Sequence, residues 1–331
     1  MGSEDRLLDR DRVVAWLAGE GIVPAGAPVE VAPIASGYSN VMFVLTFGEQ
    51  RMVLRRPAAV PLERADEGMR REYRFLRALE GSDVPHPPPI AFCEDPDVTG
   101  AVFYVMAHVD GFMPTDPLPD AFTGRDAHRE LAFAVTDAIA ALACVDWRAA
   151  GIADLGRPDG FHERQVRRWM TQYTSYPEQE LPGIERIGEW LEGRIPTDWE
   201  PAIMHGDYHT GNLLVAPDRP ARVAAIVDWE TATIGDPMLD LAGFLRFWFE
   251  TRPAEGWPTR DEMIERYVAR TGRAIPDLGY YDVLARFKLA VLMEGIHQRS
   301  KVDPNREVAT DLHTYSELLV LSGLAIVEAA G

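Results

Sequence analysis

Three polar residues in this chain have the types and spacing to do chemistry together. Asp207 lies within Met204-His205-Gly206-Asp207-Tyr208-His209-Thr210-Gly211-Asn212, Asn212 closes that stretch, and Asp228 follows in Ile226-Val227-Asp228-Trp229-Glu230. Each stands in a loop beside a short apolar strand such as Leu213-Leu214-Val215. Two such strands side by side bring all three residues to one end. Phosphoryl transfer needs a carboxylate to accept the proton of an attacking hydroxyl, and oxygen ligands to hold Mg²⁺ on the phosphates. Mg²⁺ is satisfied by one or two protein oxygens, with phosphates and water filling the rest. An Asp, an Asn and a second Asp supply that set. His205, Asp207 and His209 also spell H-x-D-x-H, a ligand pattern of metal-dependent hydrolases. That alternative leaves Asn212, Asp228 and the N-terminal third of the chain without a role, and His209 is then better read as ordering its own loop.

The protein-kinase catalytic loop has the same order, D-x-x-x-x-N followed by an Asp after the next strand. HGDYHTGNLLV with IVDWE resembles the catalytic core of the aminoglycoside phosphotransferase-like family, which includes choline kinases. Ile234-Gly235-Asp236-Pro237-Met238-Leu239-Asp240-Leu241-Ala242 is similar to that family's continuation. The resemblance implies ATP and Mg²⁺ as cofactors, Asp207 as catalytic base, and Asn212 and Asp228 as metal ligands. It also implies structural roles for His205 and Asp240. In the N-terminal part, Ser36-Gly37-Tyr38-Ser39-Asn40 matches the family's phosphate-covering turn, which implicates Gly37 and Ser39. Met106-Ala107-His108-Val109-Asp110-Gly111 resembles the hinge, implying that the Ala107 carbonyl and Val109 N–H face adenine. Glu72 takes the place of the helix glutamate that orients the strand-three cation. That cation departs from the family pattern. Kinases place a lysine there, whereas Val53-Leu54 is followed by Arg55 and Arg56, and the only lysines in the chain are Lys288 and Lys301. A guanidinium pairs with carboxylate or phosphate in a fork, not as a point charge. The VLRRP, SGYSN and REYRFLRAL segments are most similar to the kinase-like domain fused to some acyl-CoA dehydrogenases. The resemblance runs from about residue 30 to about residue 300 and is strongest over 203–243.

The elements that must position these residues follow from hydrophobic patterning. Residues 5–20 form a short amphipathic helix, and strands follow at 29–34, 41–47 and 51–55, joined by small polar or Gly-containing turns. A helix over 62–79 comes next, with Met69, Tyr73, Leu76 and Leu79 on one face. The Pro-rich stretch 84–89 is an extended connector, and strands at 90–93 and 102–107 complete five. Helices are expected near 127–146, 161–175, 184–194, 237–250, 260–271, 278–300 and 306–328, with short strands between 202 and 236. The fold class is α+β: a bilobal protein-kinase-like fold with a five-stranded antiparallel N-lobe carrying one inserted helix, and a mainly helical C-lobe. The N-lobe is assigned to 1–107 and the C-lobe to 108–331.

The formal net charge of −19 disfavours nucleic acid and anionic membrane as partners. Cys93 and Cys144 have no metal or disulfide spacing. The N-terminus lacks a signal-peptide pattern and no apolar run is long enough to span a bilayer, so the expectation is a cytoplasmic protein. Its partner is a small-molecule hydroxyl acceptor, either aminoglycoside-like or a hydroxyacyl metabolite. The competing class is a pseudokinase that binds nucleotide without transfer, favoured by the missing lysine. By default Glu72 is a solvated helix residue pairing with an arginine, and Arg55 a surface arginine. Glu294, His297 and Arg299 share a late helix, either lining an acceptor pocket or forming a solvated face.

Overall fold

The computed structural model describes residues 8–34, 40–58, 65–178, 180–252, 255–302 and 311–330. By compactness the chain divides into two units that are discontinuous in sequence. One comprises Met1–Thr123, Val145–Leu155 and Gly211–Ala232; the other comprises Gly124–Cys144, Gly156–Thr210 and Thr233–Gly331. Residues 211–232, which carry Asn212 and Asp228, thus group with the N-terminal sheet and not with the helices that surround them in sequence.

The first unit opens with α1 (Arg10–Gly19), capped by the Asp9 side chain, which accepts from the Arg12 N–H. Five antiparallel strands follow: β1 (Glu30–Ile34), β2 (Asn40–Phe47), β3 (Gln50–Pro57), β4 (Pro89–Cys93) and β5 (Phe103–Ala107). Their spatial order is β1-β2-β3-β5-β4, with α2 (Ala65–Leu79) inserted after β3. The α+β fold expected from the patterning, kinase-like by the resemblance, is the fold observed. Alternation along β2 and β3 turns Phe43, Leu45, Met52 and Leu54 into one core with Val13 and Leu17 of α1. Each such fully buried side chain contributes roughly 1.5–3 kcal/mol. Trp16 meets Phe103 edge to face at 4.8 Å. After β5 the chain must pass close to β7 (Leu213–Val215): Phe112 and Val215 exchange backbone hydrogen bonds of 2.9 and 2.8 Å. Gly111 permits this, since a Cβ there would stand 2.8 Å from the Val215 carbonyl oxygen.

The second unit is built from α3 (Arg125–Ala143), α4 (Phe161–Thr174), α5 (Ile184–Glu192), α6 (Met238–Thr251), α7 (Arg260–Thr271), α8 (Gly279–Val302) and α9 (Leu312–Ala329). Helix α8 packs against α4, α5, α6 and α9. A capping box at Thr259 and Glu262 starts α7, satisfying N–H groups that a helix start leaves without partners. Among the described residues, no helix is long and apolar enough to cross a membrane.

The short strands between 202 and 236 form two separate ladders. β6 (Ala202–Met204) pairs with β9 (Thr233–Gly235), and β7 pairs with β8 (Val223–Ile226). The sequence suggested a single pair. The physical difference is that the chain turns twice between Met204 and Thr233, so the inner strands pair with each other and the outer strands do likewise.

Candidate active site

In the first unit, the β7–β8 ladder fixes two of the three chemistry-bearing residues. Leu213 is opposite Ile226, so Asn212, just before β7, and Asp228, two residues after Ile226, emerge at the same end. The Val227 N–H donates to the Asn212 carbonyl at 2.9 Å and locks that end. Asp228 has φ 67° and ψ 68°, a left-handed conformation that no other described non-glycine residue adopts. Asp tolerates this region better than most residues, but it remains a strained position. Buried Trp229, whose ring N–H donates to the Ile226 carbonyl at 2.9 Å, anchors the turn.

Arg55 on β3 faces these residues. Its Nη2 donates to Asp228 Oδ1 at 2.6 Å, and the same nitrogen is 3.9 Å from Glu230 Oε2. Its Nε is 2.9 Å from Glu72 Oε2 but is not aligned as a hydrogen bond, so that contact is an ion pair. Arg55 is 5% exposed and Glu72 1%. Both default expectations, a surface arginine and a solvated helix glutamate, give way. The reason lies in α2: Met69, Glu72, Leu76 and Leu79 recur at helical spacing, so Glu72 belongs to the inward face. Tyr104 on β5 donates to Glu72 Oε2 at 2.9 Å.

Burial opposes the charge on Arg55, but Glu72, Tyr104 and Asp228 outweigh it and hold the guanidinium ionised above its ordinary range. Burial pushes the Glu72 carboxyl up to about 7, and Arg55 and the Tyr104 hydroxyl offset only part of that rise. Arg71 holds α2 in place by donating to the carbonyls of Leu155 and Ala232, the latter at 2.7 Å.

Arg55, Asn212 and Asp228 border a cavity of about 320 Å³ whose apolar walls include Val53, Leu76, Met106 and Leu214. Ala107 and Val109 also line it. The Ala107 N–H donates to the Pro88 carbonyl at 2.8 Å, while the facing Pro87-Pro88 chain has no N–H to return to the Ala107 carbonyl. Gly37 and Ser39 lie outside the described residues.

In the second unit, Asp207 follows β6 in a loop held from two sides. Asp240 of α6 accepts the backbone N–H groups of His205 at 2.6 Å and Gly206 at 3.0 Å. The Lys288 ammonium, from α8, donates to the Gly206 carbonyl. Gly206 has φ 82°, a conformation that costs glycine little, and this aims its N–H and C=O at those two partners. Burial pushes the Asp240 carboxyl up to about 6, against the Lys288 charge and the two N–H donors.

His209 Nε2 is 3.4 Å from Asp207 Oδ2. The walls around Asp207 raise its carboxyl, but His209 and Lys288 overcome this and hold it below the usual carboxylate range. Asp207 thus stays ionised. It lines a second cavity of about 260 Å³ with Arg246, Lys288, Phe247, Leu289 and Met293.

The motif spacing gives Lys288 no role; the signal that marks it is a lone lysine in the apolar run Leu284-Ala285-Arg286-Phe287-Lys288-Leu289-Ala290. Glu294 is buried against Gln298 and His313 and does not border the described cavity, so neither sequence expectation for that helix face holds for it.

The sequence profile of the phosphotransferase enzyme family matches residues 30–284, and the chain belongs to that family. It is 33% identical over 323 residues to acyl-CoA dehydrogenase family member 11 of Gallus gallus, an alignment covering 90% of this chain and 39% of that protein. The chain therefore spans about two fifths of that relative's length. Among solved structures, a putative aminoglycoside phosphotransferase from Ralstonia eutropha superposes with a TM-score of 0.84 at 30% identity, covering 97% of this chain and 98% of that one. An aminoglycoside phosphotransferase in ternary complex with AMP-PNP and hygromycin B shares the fold at TM-score 0.64 and 15% identity, over 95% and 98% of the two chains. The family and the acyl-CoA dehydrogenase branch suggested by the sequence motifs are both borne out.

Proposed function

We propose that this chain is an ATP- and Mg²⁺-dependent phosphotransferase that moves the γ-phosphoryl group to a hydroxyl of a small molecule. The observation that carries the proposal is the Arg55–Glu72–Asp228 assembly bordering a cavity that Asn212, Ala107 and Val109 also line. Arg55 then serves as the phosphate-anchoring cation in place of lysine, with Glu72 orienting it. Ala107 and Val109 present backbone groups to the adenine, and Gly37 and Ser39 contact the phosphates. Asn212 and Asp228 supply hard oxygen donors at one end of a ladder, a set that suits Mg²⁺. Asp228 uses Oδ1 for Arg55, which leaves Oδ2 for a cation. When bound, Mg²⁺ neutralises charge on the phosphates.

Asp207 accepts the proton of the acceptor hydroxyl. Its loop is braced by Asp240 and Lys288, and its carboxyl is kept ionised by His209 and Lys288. The cavity it lines holds Arg246 and Lys288 against Asp207 and Asp240, with apolar side chains between them. Such a lining has no acidic excess for a polycationic aminoglycoside. It suits a neutral or anionic hydroxyl metabolite, and the acyl-CoA dehydrogenase relatives place hydroxyacyl thioesters on the list to be screened.

The test is Mg²⁺-dependent ATP binding followed by single-turnover transfer to a panel of hydroxyl acceptors. Transfer to at least one acceptor is the expected result. Tight binding with no transfer across the panel supports the nucleotide-binding scaffold instead.

A further inference from the structure

A second group of metal-type ligands stands on α8 and α9. Glu294 and His297 are one helical turn apart on α8, and His313 is in the first turn of α9. One ligand atom from each lies within 4.8 Å of the others. Glu294 Oε2 is 2.8 Å from His313 Nδ1, and the rings of His297 and His313 are 5.4 Å apart.

Carboxylate and amide groups stand behind these ligands. Gln298 Nε2 donates to Glu294 Oε1 at 2.7 Å, which leaves Oε2 directed at the histidines. Glu317 Oε1 is 3.9 Å from His313 Nε2. That is the nitrogen which, in a metal-bound histidine, ordinarily faces a carboxylate. Glu294 is 0% exposed, and a carboxylate so enclosed is either paired or bound to a metal.

We propose that Glu294, His297 and His313 form a Zn²⁺ site that clips α8 to α9. Two imidazoles and one carboxylate are a recognised zinc donor set, with one coordination position left for water. Imidazole nitrogen suits zinc and not Mg²⁺, which takes oxygen ligands. Zinc ligands stand about 2.0–2.2 Å from the ion. Binding therefore displaces the proton shared by His313 and Glu294 and draws the His297 ring inward by side-chain rotation. The proton leaves to solvent. Met293, next to Glu294 on α8, lines the cavity that holds Asp207 and Lys288, so the clip steadies one wall of that cavity.

The experiment titrates the untagged, chelator-treated full chain with Zn²⁺ against a competing indicator. One Zn²⁺ per chain at micromolar affinity or tighter is expected. His297→Gln and His313→Gln should each weaken binding by about 10–100-fold, the loss typical when a metal site is disturbed. His297→Gln leaves the buried Glu294–His313 contact in place, so it reports on the metal even if His313→Gln fails to fold. Asp228→Asn should bind Zn²⁺ as tightly as the wild type, and millimolar Mg²⁺ should not compete. Wild-type binding no tighter than millimolar, or undiminished binding by His297→Gln, overturns the site.

Discussion

Arg55 in the first unit is buried and Lys288 in the second is half-buried; both are cations facing carboxylates, and they meet that demand with different chemistry. Arg55 spreads its charge over a planar fork, so Nε faces Glu72 while Nη2 reaches Asp228. Lys288 is a single ammonium donating to one carbonyl, at Gly206, with Asp240 and Asp207 supporting its charge. The fork joins two elements rigidly. The ammonium balances two acids while leaving Asp207 able to accept a proton. Enclosure alone therefore does not set a cation's role; the number of directions in which it can bond does.

The largest effect expected from breaking this comparison is on stability. Arg55→Met leaves Glu72 buried without its counter-charge, and loss of one member of a buried pair costs about 3–5 kcal/mol. Urea denaturation should show the midpoint fall with the slope unchanged. Arg55→Lys keeps the charge but cannot address Glu72 and Asp228 together, so it should fall between the two. A loss below about 1 kcal/mol for Arg55→Met would place this arginine outside the network.

In the other unit, Lys288→Met should act on catalysis more than on nucleotide binding. Asp207 is held low by His209 and Lys288, while Asp240, Arg168 and His205 also act on this group of charges. Removing the ammonium raises the Asp207 carboxyl, so the acidic limb of the pH–rate profile should move to higher pH, with roughly a tenfold loss of kcat below it. KM for ATP should stay as in the wild type. A limb that does not move assigns Lys288 to packing alone.

On stability the smaller effect concerns Glu72, whose carboxyl is pushed up to about 7 in the folded chain. Its folded value lies above its ordinary value of 4.5. The native state therefore holds the proton more tightly, and this contribution is full below the ordinary value and lost as pH rises through 7. Glu72→Gln should then gain stability relative to wild type between pH 5 and pH 8, by about 2 kcal/mol. Thermal melts across that range read the difference; a constant offset would contradict it.

Much of this was legible in the sequence, for identifiable reasons. The order of strands and helices follows from period-two and helical patterns interrupted by Pro and Gly, and the helix limits observed fall within a few residues of those expected. The D-x-x-x-x-N…D spacing is legible because its loops are short and their flanking strands apolar. Two kinds of fact were hidden. Burial of charge was one: Glu72 reads as solvated until α2 is seen to turn it inward with Met69 and Leu76. Contacts between residues distant in sequence were the other. Lys288 meets Gly206 across a separation of 82 residues, and Asp240 meets His205 across 35. No local pattern encodes either.

The role of Asp207 as proton acceptor is tested most directly by one measurement: the rate of Mg·ATP-dependent phosphoryl transfer by wild type and by Asp207→Asn, with the best acceptor from the panel. The substitution keeps the size of the side chain and removes its basicity. Transfer should fall by about 10²–10⁴-fold, the usual contribution of a positioned base, while ATP affinity is retained. Equal rates for the two proteins would contradict the assignment of Asp207.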